Sequence, residues 1–293
     1  MIYQIIFNPE AGRGKAQAAL PVVQYHLKRA KIDYQIHQLE AVADHEVLIQ
    51  SFGKDDVVVA LGGDGTVNAL LPGLLKIPRK LAVIPTGMIN NLARAAGISR
   101  RVPEAVRTML TGTSKLVDIG VINHQKYFIN GMGIGFDGQV NLEGNEIQTM
   151  AGNKVYIIAI AKAFRKFEPI LVHLELNGGI IDTAIFQLVI GNSPFMGGGF
   201  RLTPDALMDD GALDIALVEP LKKGRIVRNI RKLRNGQGDV LNEVHLDRTT
   251  ELIFASTIPI PVHYDGEIFQ SDDLRMEVAV IPAAIHLIGD WNN

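Results

Sequence analysis

The feature that most constrains this chain is the alternation, through its first third, of short apolar runs with amphipathic stretches. Ile2 to Phe7 is followed by a helical pattern from Lys15 to Ala30, then by Tyr34 to Leu39, a helix near Asp44 to Phe52, and the run Asp56 to Leu61. A further helix, Thr66 to Leu75, precedes Lys80 to Ile84. Strands separated by helices predict a parallel, Rossmann-like α/β sheet with ligands at the carboxyl ends of its strands. From about Leu116 the rhythm changes to β-like runs broken by Gly, Asn and Asp: Val117 to Ile122, Lys126 to Asn130, Ile170 to Leu176, Ile180 to Gly191, Ala212 to Val218, Leu252 to Ala255 and Met276 to Ile281. Asn177-Gly178-Gly179 is a hairpin signal, and Lys154 to Phe167 and Lys223 to Leu233 read as helices. At about 150 residues per domain, 293 residues make two. The expected division is an α/β domain over 1–118 and a mainly β domain over 119–281.

Charge narrows the function classes. Twenty-nine basic against 31 acidic residues leave a net charge of −2, which argues against a chain held to nucleic acid by bulk charge. The absence of cysteine excludes disulfides, thiolate metal sites and a cysteine nucleophile. No apolar run approaches the roughly 18 residues that a membrane-spanning helix requires, and Met1 to Asn8 reads as a buried strand rather than a leader. A cytoplasmic protein is expected.

Three turns carry the chemistry. Leu61-Gly62-Gly63-Asp64-Gly65-Thr66-Val67-Asn68 follows one apolar run and opens a helix, so its glycines let several backbone amides approach one ligand beside a positive helix end. Such a place suits phosphate. Asp64 is repelled by phosphate unless a divalent cation intervenes or it accepts amides, and is read as metal-linked; the plainer account is a tight turn with an Asp cap. Asn8-Pro9-Glu10-Ala11-Gly12-Arg13-Gly14-Lys15 and Pro85-Thr86-Gly87-Met88-Ile89-Asn90-Asn91 follow two other runs. In a parallel sheet all three turns open at the same edge and can converge on one ligand. Gly12 to Lys15 is not a Walker motif, because Ala16 replaces the hydroxyl and Pro9 the first glycine. Gly133-Ile134-Gly135-Phe136-Asp137-Gly138 satisfies a dinucleotide pattern but has β-like surroundings and no acid at the required distance, so a bend is expected there. The histidines show no metal-ligand spacing, and Ser193 lacks a nucleophile elbow.

At these residues the chain resembles the diacylglycerol kinase catalytic-domain superfamily, in particular bacterial lipid kinases related to sphingosine kinases and YegS. The resemblance runs from Asn8-Pro9 with Gly12, through Gly62 to Thr66, Asn90 with Leu92-Ala93-Arg94, and Gly197-Gly198-Gly199 before Pro204-Asp205-Ala206. It continues to Asp209-Asp210-Gly211-Ala212-Leu213-Asp214 and Asp265-Gly266-Glu267. It implies a nucleotide-binding α/β domain, a β-sandwich-like domain for the lipid, an active site in the cleft between them, and a final segment, about 282–293, that returns to the first domain. By the same resemblance Asn8, Pro9, Glu10, Ala11, Gly12, Gly62, Gly63, Asp64, Gly65, Thr66, Val67, Asn68, Gly87, Met88 and Asn90 contact ATP, with Asp64 near the catalytic Mg2+. Glu267 is implied as general base on the acceptor hydroxyl, Asp265 as its active-site neighbour, and Asp118 as a further acid near the metal network. An accessory Mg2+ is implied on Asp210 with the carbonyls of Leu207 and Ala212.

The expected activity is ATP-dependent phosphoryl transfer to a lipid hydroxyl, diacylglycerol-like or other. Two alternatives stay open. One is a soluble-metabolite kinase of the NAD kinase type. The other is a nucleotide-binding regulatory protein, suggested by Met88 and Asn91 where many members have Thr and Asp. Replacing Asp64 by Ala is expected to leave melting unchanged. Lys222, Lys223, Arg225, Arg228, Arg231, Lys232 and Arg234 form an acid-free run with Ile226, Val227, Ile230 and Leu233 at helical spacing. The ordinary account is a solvated helix face; the alternative is peripheral contact of 222–234 with anionic membrane. No nucleic-acid partner is expected, and the sequence sets no oligomeric state.

Overall fold

The structure, a computed structural model, describes residues 1–39, 45–136, 138–140, 162–164, 167–271 and 274–291. The chain forms two compact units, Met1–Ile119 with Ile281–Asn293, and Gly120–Val280.

The first unit contains β1 (Tyr3–Phe7), α1 (Lys15–Arg29), β2 (Tyr34–Gln38), α2 (His45–Gln50), β3 (Val57–Gly62), α3 (Asp64–Asn68), α4 (Leu71–Lys76), β4 (Lys80–Pro85), α5 (Asn91–Ala95), α6 (Val102–Thr111) and the start of β5 (Thr113–Ile122). β1 and β3 are buried at every position, as strands covered on both faces must be. β1 pairs in parallel with β2 on one side, Tyr3 opposite Tyr34, and with β3 on the other, Tyr3 opposite Val57. β3 continues in parallel to β4, and β4 to the end of the chain's last strand, His286 opposite Lys80. α1 buries Ala16, Ala19, Val23 and Leu27, the stripe of a helix lying on a sheet. The helix expected over Thr66 to Leu75 is two short ones, and Pro72 falls in the first turn of the second, where a missing N–H costs least.

The second unit holds the end of β5, then β6 (Lys126–Phe128), β7 (Gly131–Gly135), β8 (Ile170–Leu176), β9 (Gly179–Ile185), β10 (Gln187–Gly191), β11 (Phe195–Met196), β12 (Phe200–Arg201), β13 (Leu213–Val218), α7 (Lys223–Arg234), β14 (Val244–Thr249), β15 (Glu251–Ser256), β16 (Ile260–Tyr264), β17 (Glu267–Ser271) and the start of β18 (Arg275–Gly289). One sheet is antiparallel in the order β14-β13-β10-β7-β16-β17. In the other, β9, β8, β15 and the first half of β18 are neighbours. Phe128, Met132, Ile134, Leu174, Leu188, Ile190, Phe254 and Val262 belong to the buried core that both sheets contribute to, which makes this unit a β-sandwich. Thus the α/β unit with parallel strands and the β-sandwich unit are both present, as expected.

Local expectations meet different outcomes. Asn177 and Gly178 both have positive φ, 51° and 75°, and join β8 to β9 as a two-residue hairpin. The run Ile180 to Gly191 divides at Phe186, because β9 and β10 pair in different sheets. Gly133 and Gly135 lie in β7, a central strand rather than a bend or a nucleotide turn. Of the helix expected over Lys154 to Phe167, residues 162–164 are helical, and 154–161 and 165–166 lie outside the described residues.

A buried carboxylate ties the start of the first unit together. Asp56 accepts the Ile2 N–H at 2.8 Å, the Gln4 side-chain amide at 2.8 Å and the Gly53 N–H at 3.0 Å. Burial alone raises its pKa, but those bonds and the amino terminus outweigh it and hold the carboxyl below its ordinary value. Its stabilising contribution is therefore present above the ordinary carboxylate range and is lost as pH falls through the depressed value. Thermal melting followed from neutral pH to pH ~3 is expected to show this acid loss in the wild type. Asp56→Asn, which places a donor against a donor, should melt lower at neutral pH and show a shallower acid dependence.

Candidate functional site

In the first unit the chain leaves β1 for β2 on one side and crosses to β3 on the other, so the carboxyl ends of β1 and β3 form a topological switch point, where α/β sheets bind ligands. The turns after β1, β3 and β4 touch there through backbone. The Thr86 N–H donates to Gly62 O at 2.8 Å. A Cβ on Gly12, whose φ is +62°, would lie 1.9 Å from Thr86 O, and one on Gly87 would lie 2.6 Å from Gly63 Cα. Only glycine allows that approach. Beside the contact, Thr86 Oγ1 and Asn90 Oδ1 are buried without a hydrogen-bond partner among the described residues. Buried polar atoms are normally paired, and orphaned ones beside glycine turns are what a bound polar ligand would satisfy.

The individual residues divide between ligand-facing and structural work. Asn8 builds its own turn, its Oδ1 accepting the Glu10 N–H at 3.0 Å and its carbonyl the Ala11 N–H at 3.0 Å. Gly63, Asp64, Gly65 and Asn68 are half-buried, whereas Thr66 and Val67 are buried, Thr66 packing against Gly62. Asn90 holds a left-handed φ of 58° and donates from Nδ2 to Gly87 O at 2.7 Å. Met88 is exposed. Asp64 has a role beyond the one expected: its carboxylate accepts the Asn91 N–H at 2.9 Å and the Leu92 N–H at 3.1 Å, tying the turn after β3 to the start of α5. Sequence reasoning missed Arg100, which donates to Met88 O at 2.9 Å and anchors the third turn.

In the second unit, β16 and β17 form a hairpin with Tyr264 opposite Glu267. Its two central residues, Asp265 and Gly266, have φ of 45° and 99°, the positive pair that a type I′ turn requires. Asp265 is 5% exposed and accepts the N–H groups of Ile129 at 2.6 Å, Asn130 at 2.9 Å and Gly131 at 3.3 Å. Amides at the approach to β7 engage both of its oxygens, so it anchors the turn that carries Glu267. His263, which the sequence reading passed over, accepts the Gly266 N–H on Nε2 at 3.1 Å. Glu267 is left exposed at the rim of this fixed turn. Burial raises the Tyr264 hydroxyl pKa, and the charges of Glu267 and Asp265 raise it further.

The remaining acids each hold a backbone amide. Asp118, 2% exposed, accepts the Ala283 N–H at 2.7 Å where Ala283 takes a positive φ of 48°, and so supports a kink in β18. Asp210 accepts the Ala212 N–H at 3.2 Å, and its other oxygen is paired with Arg248. Arg248 Nε also lies 3.6 Å from Asp214, whose pKa burial, reinforced by Asp205, pushes up to about 6. Arg248 therefore stands beside Asp210, the acid on which, with the carbonyls of Leu207 and Ala212, the resemblance implies an accessory Mg2+. Among the described residues no three His, Cys, Asp or Glu side chains gather as a metal-binding group. Asp64 supplies a hard carboxylate oxygen donor at the glycine turn, a donor type that suits a magnesium ion keeping phosphate and water ligands.

Fold and turns together define a class: an α/β unit with a glycine cradle at its strand ends, joined in one chain to a β-sandwich. Residues 3–122 match the diacylglycerol kinase catalytic domain, and 130–289 match the YegS C-terminal NAD kinase beta sandwich-like domain. The chain belongs to the diacylglycerol kinase catalytic-domain family. It is 29% identical over 250 residues to a diacylglycerol kinase of Bacillus subtilis (strain 168), covering 83% of this chain and 81% of that one. It is 26% identical over 269 residues to a diacylglycerol kinase of Staphylococcus aureus (strain bovine RF122 / ET3-1), covering 90% and 85%. Its fold matches the crystal structure of a diacylglycerol kinase from Bacillus anthracis str. Sterne with a TM-score of 0.74 at 22% identity, over 98% of this chain and 96% of that one.

Because Asp64 accepts the first two amides of α5, Asp64→Ala is expected to lower melting, where the sequence alone suggests no change. We expect a loss of about 1–2 kcal/mol, the usual cost of removing a capping acceptor, with Asp64→Asn losing less because one acceptor remains. Chemical denaturation of the three proteins measures this directly.

Proposed function

We propose that the chain is an ATP- and magnesium-dependent kinase that phosphorylates a hydroxyl of a diacylglycerol-like lipid. The observation that carries this reading is the meeting of three strand-end turns through Gly12, Gly63 and Gly87, in a chain of the diacylglycerol kinase family. Backbone amides in such a recess donate to phosphate oxygens with no Cβ in the way. Residues 8–12 and 62–68, with Gly87, Met88 and Asn90, hold the nucleotide; Thr86 Oγ1 and Asn90 Oδ1 find partners in it. Magnesium, when bound at Asp64, compensates the negative charge of the transferring phosphoryl group.

The acceptor oxygen attacks the γ-phosphorus, the bond to the β,γ-bridging oxygen breaks, ADP leaves, and the hydroxyl proton passes to Glu267. A carboxylate cannot ionise a free alcohol, but near the transition state the oxygen is acidic enough for it to serve. Asp265 and His263 are positioning residues, because they hold the turn on which Glu267 stands. The acceptor is assigned to lipid on the strength of the family and of the relatives named diacylglycerol kinase.

Incubation of the protein with labelled ATP and either lipid extract or NAD separates the readings. Label should enter the organic phase, and Glu267→Gln should lower kcat by about 10²–10⁴-fold with unchanged melting. Label on NAD would overturn the choice of acceptor. Stabilisation by ATP with no transfer to either pool would make the chain a nucleotide-binding regulator.

A further inference from the structure

Helix α7 and the cations around it are not used by the site described above. Lys222, Arg225, Arg228, Arg231, Lys232 and Arg234 are all exposed, and α7 contains no Asp or Glu. At about 100° of rotation per residue, Ile226, Ile230 and Leu233 fall on one stripe and the cations spread over the opposite side. The stripe is occupied: these three residues line an apolar cavity of about 110 Å³ together with Phe136, Phe186 and Val244. The helix therefore spends its apolar side on its own unit and turns its charge outward. Arg225 is paired with Glu243; no ion pair among the described residues involves Arg228, Arg231 or Arg234.

We propose that α7 is a docking surface for an anionic phospholipid bilayer. A concentration of cations on one helix of a chain with net charge −2 is complementary to a negatively charged leaflet. Nucleic acid is the weaker partner, because single-strand sites offer aromatic rings for base stacking and α7 has none. Apolar side chains border the cations instead: Ile230, at the edge of the stripe, is 40% exposed, and Val240, on the turn that follows the helix, is 45% exposed. That mixture suits the boundary between headgroups and acyl chains.

The mode of attachment follows from the orientation of the helix. With its main apolar stripe engaged beneath, α7 binds through charge, so attachment requires anionic lipid and weakens as added salt shortens the screening length from about 10 Å at 0.1 M to about 3 Å at 1 M. One basic residue near a charged leaflet is worth about fivefold in affinity, and three about a hundredfold. The inference does not depend on kinase activity.

The test is co-sedimentation of the full chain with vesicles of phosphatidylcholine alone or mixed with phosphatidylglycerol. Wild type should bind the mixed vesicles only and release at high salt. The triple variant Arg228→Ala, Arg231→Ala, Arg234→Ala should bind about a hundredfold more weakly, while Arg→Lys at the same positions retains binding, since only charge is read. Lys28→Ala, Arg29→Ala, Lys31→Ala, an equal loss of charge from exposed positions in the first unit, should bind as wild type. Melting curves establish that each variant is folded. Equal binding to uncharged vesicles, no binding to the mixed ones, equal losses in the two alanine triples, or tighter binding to duplex DNA than to the mixed vesicles would overturn the proposal. Phosphorylation of detergent-dispersed diacylglycerol is scored separately, so failure of the kinase reading is distinguishable from failure of docking.

Discussion

Everything proposed for the first unit depends on backbone touching backbone where three turns leave a parallel sheet. A Cβ at Gly12 or Gly87 would collide with main-chain atoms of a neighbouring turn, so the approach exists only because side chains are absent. The sheet order β2-β1-β3-β4 brings those turns to one edge, and buried strands on either side of the switch point keep them there. Asp64 then adds a bond across the gap, holding the start of α5 to the turn after β3. Packing, register and electrostatics thus fix the same recess, which is the pre-organisation that phosphoryl transfer needs more than it needs covalent help.

The second unit uses the same device with different parts. An Asp-Gly turn with two positive φ values stands between β16 and β17, and the aspartate is consumed by three amides contributed from the approach to β7. Leaving a buried carboxylate there unpaired would be costly, so those amides define where the turn sits. Glu267 follows directly and remains solvent-facing.

β1, β3 and β4 were legible because they are mostly apolar and buried, and the glycine turns because each directly follows such a strand. The hairpin at Asn177-Gly178 was legible for its dipeptide alone. β14 was not: its middle residues, His245 to Arg248, are all exposed, and an edge strand needs no apolar alternation. β16 was obscured by Pro261, which is tolerated because pairing with β7 begins at Val262. The extent of β18 was hidden by Pro282 and by the kink at Ala283 that Asp118 supports. The acids were visible as acids, but their partners were not: Asp64 meets amides 27 and 28 positions away, and Asp265 meets amides more than 130 positions away. Local sequence shows that a carboxylate is present; only the fold shows what it holds.

The most direct test of the convergence is an amide NMR titration of the full chain with ATP and magnesium. Resonances of Gly12, Gly63 and Gly87 should shift together, with one dissociation constant. Shifts confined to a single turn, or three turns titrating with different constants, would contradict a common phosphate cradle.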